Sequence, residues 1–294
     1  MVRALGEDLV TGVGHATREL EVRRVRAGRD LPAAIIVGIA LALIIIVPLF
    51  TVRPLWIAVI CAAVTVGVFE MVRALRLCGI KIALPPLAVG TAAMPAVAYL
   101  TGTSGLVLAL AATAVVTTAW RLAYSDKNLL TDVAASVFCA AYVGLPAGFA
   151  ALLTSPPDGP RRMVAFLATA AASDIGGYTA GVLSGGRHKL APTVSPGKSW
   201  EGFAGSVVVC VIVASVSMAW PLHAALWQGA VLGIAIACTA TAGDLGESLL
   251  KRDIGIKDMG NLLPGHGGIM DRLDSVLCTA PVAWLLITAF APPS

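Results

Sequence analysis

The chain has 294 residues, of which 57% are hydrophobic and only 13% are charged, and its mean hydropathy is +0.86. Soluble domains usually carry about 25% charged residues, so this composition excludes an ordinary soluble domain. It predicts an all-α polytopic membrane protein in contact with the lipid bilayer, because helices satisfy their own backbone polar groups in lipid. The net charge of +4 is small and no basic cluster carries interleaved aromatic residues, which argues against nucleic acid as a partner.

About nine apolar segments are long enough to cross a bilayer, which takes roughly 20 residues. They lie near residues 31–50, 55–72, 82–100, 106–122, 133–153, 163–183, 203–220, 226–245 and 275–290. In the third segment, Pro85, Pro86 and Pro95 predict a kinked or broken helix, since proline removes a backbone donor. In the second, Glu70 beside Arg73 is interpreted as a paired or snorkelling charge at the interface.

The segments divide the chain into three parts. Residues 1–30 are predicted to form a cytosolic tail, because they mix arginine with glutamate and no cleavage site follows the first apolar run. Residues 31–154 form an N-terminal transmembrane scaffold with candidate dimer contacts. Polar residues gather after Ser173, so residues 155–294 are predicted to form the catalytic transmembrane region.

The charges of the connecting loops predict the orientation. With the N-terminus inside, 18 of the 21 Lys and Arg residues lie on the cytoplasmic side, and only Arg53, Arg161 and Arg162 lie outside. Cytoplasmic loops retain positive charge. We therefore expect a multi-pass protein of the cell's inner (plasma) membrane, with its N-terminus in the cytoplasm and its C-terminus outside.

Three aspartates mark the candidate site. Asp271 and Asp274 are three residues apart, which places both carboxylates on one face of a helix. A helix cap explains one of them, Asp271 for example, but not the pair. Asp244 lies near the inner membrane boundary, where a charged residue usually faces a cavity, a partner or an ion. Carboxylates from two helices predict a site for a hard cation such as Mg²⁺.

Cations and glycines surround these carboxylates in the sequence. Each cation alone is typical of a cytoplasmic loop, but together they favour phosphate binding. Gly265, Gly267 and Gly268 allow the backbone to turn tightly and to approach a ligand closely. The combination predicts phosphoryl or nucleotidyl transfer, in which catalysis is largely positioning and charge neutralisation. The cations are Lys251, Arg252, Lys257, His266 and Arg272, with Lys189 and Lys198 in the preceding loop.

These residues resemble a known family. Ser248 to Arg252, Lys257-Asp258, Pro264 to Gly268, and Asp271 to Ser275 resemble the C-terminal signature of phosphatidate cytidylyltransferases, also called CDP-diacylglycerol synthases. Upstream, SDIGGYTAG and KLAPTVSPGKSWEG resemble a second conserved block of that family. The similarity is sharp from Ser173 to Ser275 and only compositional before it.

The resemblance implies that CTP and phosphatidic acid react to give CDP-diacylglycerol and pyrophosphate with Mg²⁺, for phospholipid biosynthesis. It implies in-line attack by the lipid phosphate on the α-phosphorus of CTP. It also implies K⁺ as a candidate second ion and a homodimer as a candidate assembly. The implied metal ligands are Asp244, Asp271 and Asp274. The implied catalytic residues are these three aspartates with Lys251 and Arg272. The implied substrate-binding residues are Ser195, Lys198, Glu201, Arg252, Lys257, His266, Gly267 and Gly268.

Two alternatives stay open at this point. An ion-coupled transporter or channel also carries intramembrane acids, but it predicts acids along a membrane path, often with an internal repeat. In this sequence the acids gather at one edge and no repeat is found. Another CTP-using membrane enzyme, such as a polyprenol or phytol kinase, shares the nucleotide and metal requirements, but the C-terminal signature argues against it.

Overall fold

The structure, a computed structural model, describes residues 40, 43–124, 127–260, 262 and 267–292. This part of the chain is a bundle of helices with one short β-hairpin, which confirms the prediction of an all-α polytopic architecture. The helices are α1 (Arg53–Leu77), α2 (Leu84–Tyr124), α3 (Leu129–Cys139), α4 (Leu145–Thr154), α5 (Gly159–Leu183), α6 (Trp200–Leu222), α7 (Leu226–Ile254) and α8 (Met270–Phe290). A π-helical turn, Ala140–Gly144, joins α3 to α4, and residues 43–51 are helical ahead of α1.

Six stretches of this part are long and apolar enough to cross a membrane. They are Arg53–Leu77, Leu84–Tyr124, Leu129–Thr154, Trp200–Leu222, Leu226–Ile254 and Met270–Phe290. The second stretch, α2, has 41 residues and covers both the third and the fourth predicted segments. Helix α5 occupies the sixth predicted segment but is not one of the six. Most of the first predicted segment, and the predicted tail over residues 1–30, lie outside the described residues.

The interruption in α2 does not lie at the prolines, where the sequence predicts it. Pro85 and Pro86 stand in the first turn, where a helix needs no amide donor. Pro95 stands inside the helix, yet the non-helical dihedrals fall at Gly102, with φ 76° and ψ −161°. Only glycine adopts such angles readily. Gly102 therefore separates the two predicted segments within one continuous stretch.

Helices α5 to α8 pack in chain order, α5 on α6, α6 on α7 and α7 on α8. Small residues allow this close approach, as is typical of membrane helices. A Cβ atom on Gly205 of α6 would lie 2.2 Å from the Cβ of Ala180 on α5. A Cβ atom on Gly243 of α7 would lie 2.9 Å from the carbonyl oxygen of Asp274 on α8. The second contact brings the acidic ends of α7 and α8 together.

Two of the three arginines that are predicted to lie on the outer side of the membrane form hydrogen bonds with the segments that connect the helices. The Arg53 guanidinium donates to the carbonyl oxygens of Pro156, at 3.2 Å, and Pro157, at 2.7 Å. Arg162, which is 1% exposed, donates to the carbonyl oxygen of Ala291 at 2.6 Å and pairs with Asp158. The first contact joins the start of α1 to the connection between α4 and α5, and the second joins the start of α5 to the end of α8.

A β-hairpin lies between α5 and α6, where the sequence indicated only a loop. Strand β1 (Lys189–Ala191) pairs antiparallel with β2 (Ser195–Ser199). The hydroxyl of Ser199 accepts a hydrogen bond from the Gly202 amide at 3.1 Å and so caps α6. The hairpin is thereby fixed to the start of the helix that follows it.

Candidate functional site

A cavity of about 540 Å³ opens between α5, the hairpin, α6 and α7. Its wall carries the acids Asp174 and Asp244 together with the cations Lys189 and Lys198. The volume lies within the range of small-molecule sites, roughly 300–1,000 Å³. Glycines at positions 177, 181, 185, 186, 197 and 202 also line it. Since glycine exposes its backbone to a ligand, the wall suits a phosphate-bearing molecule.

Lys198 and Asp244 form an ion pair in this wall. The Lys198 ammonium lies 2.5 Å from Oδ2 of Asp244 and 3.5 Å from the carbonyl oxygen of Thr241. Both charged side chains stay partly exposed, at 23% and 38%. A ligand that enters the cavity can therefore reach both the cation and the carboxylate.

Asp271 holds the segment between α7 and α8. Its Oδ1 lies 2.9 Å from the Lys251 ammonium, and its Oδ2 accepts hydrogen bonds of 3.0 Å from the amides of Met259 and Gly268. Three donors from two chain segments thus converge on one carboxylate. Asp271 therefore already serves a structural purpose in this arrangement.

Asp274 and Glu247 form the buried part of the acidic cluster. Asp274 is 9% exposed, and its Oδ1 accepts a hydrogen bond of 2.6 Å from the Ser275 amide. Glu247 is fully buried and interacts with Asp274. Neither of its oxygens accepts a hydrogen bond from the described residues, although the Lys251 ammonium lies 3.5 Å from Oε1. Buried oxygens without donors are suited to a cation.

The cluster as a whole carries more acids than cations. Asp174 lies within electrostatic range of Asp244 and Asp274, which connects the cavity to the buried pair. The acids are Asp174, Asp244, Glu247, Asp271 and Asp274, and the cations beside them are Lys198, Lys251 and Arg272. The excess of negative charge would be neutralised by a bound metal ion.

The donor set fits Mg²⁺ by charge and by chemistry. Mg²⁺ prefers oxygen ligands, keeps several waters, and binds through one or two carboxylates and substrate phosphates rather than in a protein cage. Among the residues that the structure describes, no three Asp, Glu, His or Cys side chains converge tightly enough to hold one ion. The fit therefore rests on the oxygen donors and their excess charge.

The other predicted site residues fall into two places. Ser195 begins β2, and Glu201, in the first turn of α6, lies 2.6 Å from Nδ1 of His188, so both belong to the hairpin and its attachment rather than to the cavity wall. Arg252 donates to the carbonyl oxygen of Val194 at 3.5 Å. This contact links the end of α7 to the hairpin turn.

The remaining predicted residues lie in the connection between α7 and α8 or at the start of α8. Lys257 and Arg272 are exposed, and Arg272 lies within electrostatic range of Asp174. Gly267 has a left-handed φ of 78°, consistent with the predicted tight turn. His266 lies outside the described residues, so its role stays a prediction.

Sequence reasoning missed three acids of the site. Asp174 interrupts an otherwise apolar helix, and a charged residue in such a helix is enough to indicate a functional site. Glu247 is three residues from Asp244 and so shares its helix face. The interpretation of Glu70 as an interfacial charge is wrong. It is 9% exposed, and its Oε2 accepts a hydrogen bond of 2.8 Å from the Met270 amide at the start of α8.

Comparisons with known proteins show which family the chain belongs to. The chain is 42% identical to the "Phosphatidate cytidylyltransferase" of Mycobacterium leprae over 96% of its own length and 95% of the relative. It is also 42% identical to the Mycobacterium tuberculosis protein of the same name, over 90% of the chain and 84% of the relative. A Staphylococcus saprophyticus protein of that name is 38% identical over 53% of the chain and 59% of the relative. Residues 32–290 match the profile of the cytidylyltransferase family, and the chain belongs to that family.

Proposed function

We propose that the chain is a phosphatidate cytidylyltransferase, which converts CTP and phosphatidic acid into CDP-diacylglycerol and pyrophosphate. The observation that carries the proposal is the 42% identity to a relative of that name over nearly the full length of both chains. The cavity supports it independently, because cations, carboxylates and exposed glycine backbone meet in one wall. These are the groups that a nucleoside triphosphate and its metal require.

The reaction needs no nucleophile from the protein. A phosphate monoester is already ionised near neutral pH, so an oxygen of phosphatidic acid attacks the α-phosphorus of CTP. The new oxygen–phosphorus bond forms as the bond from the α-phosphorus to the bridging oxygen breaks, and pyrophosphate leaves with the electron pair. The protein has to align the two substrates and balance their charge.

Each part of the site has a proposed task in this reaction. Phosphates in the cavity compete with Asp244 for the Lys198 ammonium, which then holds the triphosphate together with Lys189. Asp244 and Asp274 would hold Mg²⁺, with K⁺ as a candidate second ion, and the bound metal would supply positive charge to the phosphates. Asp271, which pairs with Lys251 in this structure, would be a third ligand if Lys251 turned to a substrate phosphate.

The proposed enzyme spans the inner membrane nine times, with its N-terminus and active site in the cytoplasm and its C-terminus outside. The support is the distribution of Lys and Arg along the sequence, 18 of 21 on one side. A homodimer remains a prediction from the family resemblance.

The topology predicts opposite sides for His223, between α6 and α7, and Asp253, near the end of α7. Both are exposed. In cells whose exposed native Cys78 and Cys238 have been replaced by alanine, a membrane-impermeant maleimide added outside should label H223C and not D253C. Labelling of both variants, or of D253C alone, would overturn the proposed orientation.

The activity is tested with the purified full-length protein in phospholipid nanodiscs. With CTP, phosphatidic acid and Mg²⁺, we expect equal amounts of CDP-diacylglycerol and pyrophosphate, and no pyrophosphate without phosphatidic acid. Absence of lipid-dependent pyrophosphate would reject the proposal. Release of CDP with a polyprenol or phytol as acceptor would support the kinase alternative, and ion flux in proteoliposomes would support the transporter.

The two aspartates near the start of α8 are predicted to be essential. Asp271→Asn and Asp274→Asn keep the side-chain shape and remove the charge, so each should lower kcat by about 100-fold or more, as loss of an electrostatic group in an active site does. Steady-state kinetics and size-exclusion chromatography would separate lost catalysis from lost folding. The matched control is Asp253→Asn, an exposed aspartate at the end of α7, which should keep its activity. Activity within about threefold of the wild type in either α8 variant would refute its role.

A further inference from the structure

Glu70 belongs to α1, far in sequence from the acidic cluster, yet its side chain ends at the start of α8. Glu70 is 9% exposed, and its Oε2 accepts a hydrogen bond of 2.8 Å from the Met270 amide. Met270 is the first residue of α8. Ile269, which precedes it, has no polar side chain that could cap the helix. Glu70, which belongs to another helix, therefore supplies the hydrogen-bond acceptor that the N-terminus of α8 lacks.

Two glycines enclose the same carboxylate. A Cβ atom on Gly260 would lie 2.1 Å from Oε1 of Glu70, and one on Gly268 would lie 2.6 Å from Oε2. The carboxylate thus packs directly against the backbone on both sides of the segment that leads into α8. Any side chain at either glycine would have to displace it.

Asp271 holds the same backbone from the other direction. It accepts the amide of Met259, which precedes Gly260, and the amide of Gly268. One acid from α1 and one from α8 therefore both contact the backbone of the segment between α7 and α8. The start of α8, with Asp271 and Arg272 in the first turn and Asp274 one turn after Asp271, takes its position from these contacts.

We propose that Glu70 is a positioning residue that sets the first turn of α8 by its reach and its acceptor oxygen. It contacts the backbone and not the substrate, so it acts through Asp271 and Asp274. The kinetic part of this proposal rests on the proposed cytidylyl transfer. The exchange measurement below does not depend on it.

Two conservative variants separate reach from charge. Glu70→Gln keeps the length of the side chain and an acceptor oxygen. We expect kcat to fall by no more than about fivefold, because the acceptor oxygen positions the turn and the full negative charge is not required for this. Glu70→Asp keeps the charge but withdraws the carboxylate from Met270, so kcat should fall by about 10- to 100-fold, as for a small misplacement of catalytic groups. The KM for CTP should change by less than about threefold in both, since substrate contacts are retained.

The matched control is Val64→Ala, which removes buried packing from α1 six residues before Glu70. It should lower the unfolding temperature but leave kcat within about twofold of the wild type. An equal loss of kcat in Glu70→Asp and Val64→Ala would assign the effect to general packing and overturn the proposal. A Glu70→Gln variant as slow as Glu70→Asp would overturn it as well.

Gly260→Ala tests the contact from the other side. Its methyl group should displace the Glu70 carboxylate and lower kcat by about 10-fold or more. In the Glu70→Asp background the shorter side chain leaves room, so the same substitution should cost at most about threefold more. Independent, additive losses in this double-mutant cycle would contradict the proposed contact.

Hydrogen–deuterium exchange in nanodiscs provides a measurement without turnover. In Glu70→Asp, the amides of Gly268 and Met270 should exchange at least about 10-fold faster than in the wild type, while those of the hairpin Lys189–Ser199 should not change. Unchanged exchange at Met270 would overturn the positioning role even if the enzyme were active. If the wild type formed no CDP-diacylglycerol, the proposed function would fail, and the exchange result would still decide the role of Glu70.

Discussion

The concentration of carboxylates at one end of α5, α7 and α8 is the constraint on which the rest of the structure depends. A buried carboxylate without a partner costs several kcal/mol even after the protein relaxes. Here Glu247 is fully buried and Asp274 is nearly so, while Lys198 and Lys251 neutralise only part of the cluster. The packing around the cluster keeps these carboxyl groups together, with the side chains of Glu247 and Asp274 in contact. A bound metal ion would offset this cost, which is why we place function there.

The first half of the chain takes part in holding the cluster. Helix α8 packs against α4 and α1 as well as against α7. Glu70 reaches from α1 to the Met270 amide. Tyr142, in the π-helical turn, lies within electrostatic range of Glu247 and Asp274, and such turns occur often at functional sites. The predicted scaffold over residues 31–154 therefore contacts the predicted catalytic region directly at the acidic site.

Local spacing and depth in the membrane indicated three of the acids that the structure places near one another. Asp271 and Asp274 follow from helical periodicity, and Asp244 follows from a charge at the end of an apolar run. Glu70 could not be predicted in this way, because its partner Met270 is 200 residues away and no local pattern links them. The break at Gly102 was missed because proline disrupts a helix more strongly than glycine, so the sequence pointed to Pro95 instead. The hairpin was missed because its strands are short and polar, so no alternation of apolar residues marks them.

The central claim, that the carboxylate cluster holds the catalytic metal, is tested most directly by anomalous diffraction. Mn²⁺ accepts the same oxygen ligands as Mg²⁺ and gives an anomalous signal. In crystals grown with Mn²⁺ and a non-hydrolysable CTP analogue, the account predicts an anomalous peak about 2.1 Å from carboxylate oxygens of Asp244 and Asp274. A peak bound only by other residues, or no peak at saturating Mn²⁺, would contradict it.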